Sequence, residues 1–227
     1  MPPLTIGVLA LQGGVGEHTA LLRRAATHLP SPSTPGDFSF LEVRTPSELA
    51  QCDALIIPGG ESTTMAIVAR RLGLLDPLRQ FVKTDGKPVW GTCAGLVMLA
   101  AEASATKQGG QELVGGLDVR VQRNRYGTQM QSFVAELALP FLGEGERPFR
   151  GVFIRAPVVE EVMGEGRAEV MGVYGEDIVA VKQGNVFGTS FHPELTDDVR
   201  IHVWWLGQVV EAARHGGLPV VVGGEGA

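Results

Sequence analysis

The run Gly91-Thr92-Cys93-Ala94-Gly95 constrains this chain more than any other stretch, because it joins two segments of opposite character. Pro88-Val89-Trp90 before it is a short apolar, strand-like run, and Leu96-Val97-Met98-Leu99-Ala100-Ala101 after it reads as helix. Glycines two positions either side of a potential nucleophile, at a strand-to-helix junction, form the pattern of an elbow that lifts a reactive side chain above a sheet. The turn crowds the backbone, so a Cβ at either bracketing position would collide with the adjoining strand or helix. The positive N-terminal end of the following helix draws a thiol towards thiolate, and its free amides can hold an oxyanion. Cys93 is therefore the expected nucleophile. Cys52, in Leu49-Ala50-Gln51-Cys52-Asp53-Ala54, has no such bracket and reads as structural.

A reactive thiol needs a base, and His192 stands out among five histidines. It lies in Phe191-His192-Pro193-Glu194, just beyond the strand-like Val186 to Ser190. Residues i and i+2 leaving a strand point to one side, so Glu194 can accept from one imidazole nitrogen while the other faces the thiol. His18 and His28 in an early helical stretch, and His202 and His215 in a late one, are expected at the surface or its boundary. A third block, Ala54-Leu55-Ile56-Ile57-Pro58-Gly59-Gly60-Glu61-Ser62-Thr63-Thr64-Met65, is another apolar strand entering a glycine turn and a helix. Its paired glycines let backbone amides approach a ligand as a second wall of an oxyanion hole, with Glu61 or Ser62 capping the helix. No Gly-Lys-Ser/Thr follows, so this is not a phosphate-binding loop, and Gly14-Val15-Gly16 lacks the third glycine of a dinucleotide fingerprint.

Strands separated by helical segments predict an open, mostly parallel sheet between helix layers. Strands are expected at Thr5 to Leu11, Phe38 to Arg44 and Ala54 to Ile57, with helices at Glu17 to Ala26, Thr63 to Leu72 and Asp76 to Lys83. Beyond the Cys93 helix the character turns to short β-like runs at Leu117 to Gln122, Ser132 to Leu137, Ala168 to Tyr174, Ile178 to Lys182 and Val186 to Thr189, where some antiparallel pairing is expected. The last helix, Asp197 to Arg214, carries Val199, Val203, Leu206, Val209 and Val210 at helical spacing. The elbow, the Gly59-Gly60 turn and His192 all follow strand C-termini, where such sheets place their sites. The residues thus support nucleophilic amide hydrolysis, with a cysteine peptidase on the same architecture still open.

Composition narrows the class of partner. A chain of 227 residues, 44% hydrophobic, fits one α/β domain, expected over 1–219 with a frayed Gly-rich tail at 220–227. A formal charge of −6 without a Lys/Arg stripe argues against nucleic-acid binding. Two cysteines in different settings give neither a disulfide framework nor a zinc motif, so no metal is expected. The first strand begins almost at once, without a charged and then apolar leader, and no apolar run approaches the ~20 residues that span a bilayer. The expected location is the cytoplasm, away from membranes.

These blocks together resemble the class I glutamine amidotransferases, and within them the glutaminase subunits of pyridoxal 5′-phosphate synthases. The narrower match rests on Gly7 to Gly13 with Glu17-His18, Pro58 to Met65, Gly91 to Leu96, Arg123-Asn124-Arg125-Tyr126-Gly127, Phe153-Ile154-Arg155-Ala156-Pro157 and Phe191 to Glu194. The resemblance implies a three-layer, flavodoxin-like fold. It implies that Cys93 attacks the side-chain amide of L-glutamine, that His192 shuttles protons and that Glu194 orients it, through a glutamyl thioester and without a cofactor. It places glutamine on Gly59, Gly60, Glu61, Arg123, Ile154 and Arg155, and Gln12 at the contact with a synthase subunit in a hetero-oligomer. That partner would receive the ammonia and use ribose 5-phosphate and glyceraldehyde 3-phosphate. The chain departs from the family at Thr128, where an arginine is usual, and in the Pro/Ser-rich loop His28 to Asp37.

Overall fold

The computed structural model describes residues 3–29, 38–104, 111–125, 132–143, 145–164 and 167–214. Thr128, most of the 28–37 loop and the 220–227 tail lie outside them. The chain begins with β1 (Leu4–Leu9), α1 (Val15–Ala26), β2 (Phe38–Val43), α2 (Pro46–Leu49), β3 (Ala54–Ile57), α3 (Ser62–Arg71), α4 (Leu75–Lys83), β4 (Val89–Thr92) and α5 (Ala94–Leu99). It continues with β5 (Ala100–Ser104), β6 (Leu117–Gln122), β7 (Ser132–Leu137), β8 (Phe149–Ile154), β9 (Val158–Val162), β10 (Glu169–Tyr174), β11 (Asp177–Gln183), β12 (Val186–Thr189) and α6 (Arg200–Arg214). Single 3₁₀ turns lie at Pro140–Leu142 and Pro193–Leu195.

The main sheet runs in the order β2-β1-β3-β4-β12-β11-β9-β6-β5, with β10 paired to β11. From β2 to β12 every pairing is parallel, as is β5 with β6, whereas β11 pairs antiparallel with β12, β9 and β10. The separate β7-β8 pair is antiparallel. The sheet is thus mostly parallel with antiparallel strands in the second half of the chain.

Strand periodicity explains the layers. Ile6, Val8 and Ile56 point to one face with Trp90, where Leu22, Ala25 and Ala26 of α1 and Ile201, Trp205 and Leu206 of α6 cover them. Leu55 and Ile57 point to the other, against Met65, Ala66 and Ala69 of α3, Leu78 and Phe81 of α4, and Leu96 and Val97 of α5. A strand buried on both faces reads as an uninterrupted apolar run, which is why Ala54–Ile57 stands out in the sequence.

Three differences from the sequence reading have physical causes. The run after the elbow was expected to stay helical through Ala101, but Ala100 turns extended and opens β5, because pairing with β6 outweighs alanine's helix propensity. Strands β8 and β9 were not expected; Arg150, Gly151, Glu160 and Glu161 dilute their apolar signal. The buried face of α6 keeps Leu206 and Val209 of the expected stripe but is completed by Ile201, His202 and Trp205, with Val203 and Val210 only partly buried, since burying Trp205 removes more apolar surface from water. Among the described residues no helix is long and apolar enough to cross a membrane.

Candidate active site

Adjacent parallel strands β3, β4 and β12 end on the same edge of the sheet, and the Gly59-Gly60 turn, Cys93 and His192 follow them directly. Cys93 takes φ 50° and ψ −106°, a conformation in which an L-residue is strained by roughly 1–3 kcal/mol. Its own backbone holds it there. The Cys93 amide donates to Thr189 O at 2.8 Å, extending the β4-β12 ladder, while its carbonyl accepts from Val97 N at 3.3 Å and starts α5. A Cβ on Gly95 would lie 2.0 Å from Ile57 O, so only glycine lets α5 pack this closely over β3. Ala94 then opens α5 with an amide that has no partner within the helix.

His192 completes the expected triad. Its Nδ1 lies 2.7 Å from Glu194 Oε1, which leaves Nε2 for Cys93 in the same cleft. Burial disfavours the charged ring, but the Cys93 sulfur and the Glu194 carboxylate outweigh it and push His192 up to about 10. Glu194 is itself buried, which alone would raise its carboxyl; the hydrogen bond from His192 prevails and holds it below the usual carboxylate range. His192 N also donates to Val152 O at 2.8 Å, fixing the loop against β8. A Cβ on Gly59 would reach 2.4 Å from His192 Cε1, so that turn is shaped by the ring beside it. The Cys93 sulfur makes a weak contact to backbone, 4.0 Å to Ile154 O.

All the site residues named from the sequence line one cleft of about 530 Å³. Glu61 is the N-cap of α3, accepting from Thr63 N at 3.2 Å and Thr64 N at 2.7 Å, and Arg123 Nη2 donates to its Oε1 at 2.8 Å. Burial works against the Glu61 carboxylate, yet the bonds from Thr64 and Thr63 bring it down to about 2. Gln12 reaches across from the end of β1 and its Oε1 accepts from Glu61 N at 2.7 Å. Arg155 lines the cleft with φ 44°, while Arg125 turns away to Asp177. Asn124, at φ 51°, also lines the cleft and was not singled out from the sequence.

The expectation for two histidines is overturned. His18 and His202 are fully buried, not at the surface, and they lie 3.1 Å apart beneath the triad. The signal was present in the helical stripes: His18 shares a face with Leu21, Leu22 and Ala25, and His202 with Trp205, Leu206 and Val209. His28 is exposed as expected, and His215 lies outside the described residues. Cys52 is a buried free thiol, pushed up to about 11 by burial, in keeping with a structural role. Among the described residues no group of three or more His, Cys, Asp or Glu side chains could hold a metal ion.

Comparison with known proteins gives the family. A pyridoxal 5′-phosphate synthase subunit PdxT from Streptomyces avermitilis is 50% identical, with 87% of this chain and 90% of that protein covered. The probable pyridoxal 5′-phosphate synthase subunit PDX2 of Arabidopsis thaliana is 46% identical, covering 89% and 85%. A crystal structure of a glutamine amidotransferase superposes with a TM-score of 0.75 at 40% identity, over 90% of this chain and 98% of that one. A glutamine amidotransferase from Thermotoga maritima, 15% identical with a TM-score of 0.54, shares the fold over 96% of this chain and 88% of its own. The model of the SNO glutamine amidotransferase family matches residues 8–211, almost the whole span from β1 to α6, and this chain belongs to that family.

Proposed function

We propose that this chain hydrolyses L-glutamine to L-glutamate and ammonia, with Cys93 as nucleophile, His192 as acid and base and Glu194 as its orienter. The observation that carries the reading is the imidazole held between a strained, bracketed thiol and a buried carboxylate at the ends of three adjacent parallel strands. With the thiol proton already on His192, the sulfur attacks the side-chain amide carbon. First-turn amides of α5 and the Gly59-Gly60 turn stabilise the oxyanion. His192 returns the proton to the amide nitrogen, the C–N bond breaks and ammonia leaves a glutamyl thioester. Water, deprotonated by His192, then attacks the thioester, and glutamate departs as the Cys93 thiol reforms.

The opposed charges of Glu61 and Arg123 suit a zwitterionic amino acid, with the α-ammonium on Glu61 and the α-carboxylate on Arg123 and Arg155. Gly59, Gly60 and Ile154 supply the walls of the cleft around the reacting amide. The relatives named as subunits of pyridoxal 5′-phosphate synthase point to the ammonia acceptor: a synthase subunit that docks near Gln12 and takes ammonia before water protonates it. Such a pair works in the cytoplasm, where the thiol stays reduced. Glutamate release from glutamine, measured with and without that synthase subunit, tests the assignment. Release stimulated by the partner and absent in Cys93→Ala is expected. Release that persists in Cys93→Ala overturns the mechanism, and peptide cleavage without glutamine hydrolysis overturns the substrate.

A further inference from the structure

Glu194 Oε1 is taken by His192, but its Oε2 is buried with no hydrogen bond of ordinary length among the described residues. His18 Nε2 lies 3.4 Å from it and also 3.3 Å from Thr92 Oγ1. His18 Nδ1 in turn lies 3.1 Å from His202 Nε2. Both rings are fully buried and packed edge-on against Trp90, with centroids 5.8 and 4.9 Å from it. We propose that His18 is a positioning residue for the triad, donating from Nε2 towards the second oxygen of Glu194, with His202 fixing the tautomer that does so. The inference rests on the reading of Cys93, His192 and Glu194 given above.

The direction of donation follows from elimination. Burial drives both histidines down to about 3, so each carries one N–H at neutral pH. Their shared contact needs one donor and one acceptor. If His18 Nδ1 donated, its Nε2 lone pair could accept from the Thr92 hydroxyl but would still face the Glu194 carboxylate, and His202 Nδ1–H would be a buried donor with no partner among the described residues. If His202 Nε2 donates, His18 presents Nε2–H to the carboxylate and the unpaired atom is only an acceptor, the smaller cost. Glu194 then has Oε1 bonded to His192 and Oε2 facing a donor whose N–H it shares with Thr92 Oγ1. The N-terminus of α1 lies against the same carboxylate, since a Cβ on its N-cap Gly14 would come 2.9 Å from Glu194 Cγ. Because His18 is uncharged, it aims the carboxylate without neutralising it, and Oε1 stays directed at His192 Nδ1.

His18→Leu, His18→Gln and the parent, each with the synthase subunit, decide the matter through glutamate release. The Gln amide nitrogen reaches the place of Nε2 and can donate; Leu cannot. His18→Leu is expected to lower kcat about tenfold or more with KM for glutamine within about twofold, and His18→Gln to recover most of the loss. A kcat in His18→Leu within about threefold of the parent, or equal losses in both variants, overturns the proposal. Should His18→Leu fail to fold, His202→Phe replaces it, with a severalfold fall in kcat expected and unchanged kcat overturning the assignment. A parent that releases no glutamate contradicts the glutaminase reading itself, so the two failures are distinct.

Discussion

Cys93 and Glu194 flank the His192 ring, and together they set its charge. The imidazole stays protonated to about 10 although burial opposes the charge, because the sulfur and the Glu194 carboxylate outweigh that cost. Removing the sulfur while keeping the fold takes away the larger of the two favourable partners. We predict that in Cys93→Ala the His192 ring signals titrate at least about one pH unit lower than in the parent, by NMR across pH 6 to 11. Equal titration in the two proteins would mean that the thiol does not pair with the ring. Cys93, His192 and Glu194 were legible as residues because bracketing glycines and an i, i+2 spacing are local patterns. His18 was not, because helix burial depends on what packs against the face, and a histidine in an apolar stripe reads as a boundary residue until α6 covers it.

Elements explain why the cleft is built from turns rather than from helix or strand interiors. Gly59, Gly60, Glu61, Cys93 and His192 sit where the parallel strands β3, β4 and β12 stop, and α3 and α5 begin there with amides that lack intrahelical partners, while Arg123, Ile154 and Arg155 come from the ends of β6 and β8. Glu61 serves two ends at once, capping α3 and pairing Arg123. Glu61→Ala is therefore expected to cost about 1 kcal/mol in urea unfolding through the lost cap and to raise KM for glutamine several-fold with little change in kcat. A cap loss with unchanged KM would confine Glu61 to structure. The elements themselves were readable where the period was clean: Ala54–Ile57, Leu117–Gln122, Ser132–Leu137 and Val186–Thr189 lie where the alternation or the apolar run put them. The end of α5 at Leu99 was not, since Leu96 to Ala101 contains no breaker and only the β5-β6 pairing stops the helix.

For the molecule as a whole, the buried histidine pair couples the site to stability. Between pH 6.5 and about 3 the unfolded chain binds protons at His18 and His202 that the folded chain refuses. Stability therefore falls as pH drops through this window, by about 1.4 kcal/mol per pH unit for each histidine. His192 has the opposite sign: its stabilisation is complete below 6.5 and is lost as pH rises to about 10. The urea midpoint is expected to fall between pH 6.5 and 5, with roughly half that slope in His202→Phe. An unchanged slope would mean that His202 is not held neutral. The chemistry and the layered class of fold were already present in the linear chain, because an elbow, a His-x-Glu pair and β-to-α periodicity are written in neighbouring residues. Folding was needed to settle which strands lie side by side, that Gln12, Glu61 and Arg123 meet across one cleft, and that His18 and His202 stand behind Glu194. Those are contacts between residues up to 184 positions apart, and they exist only once the sheet is assembled and both of its faces are covered.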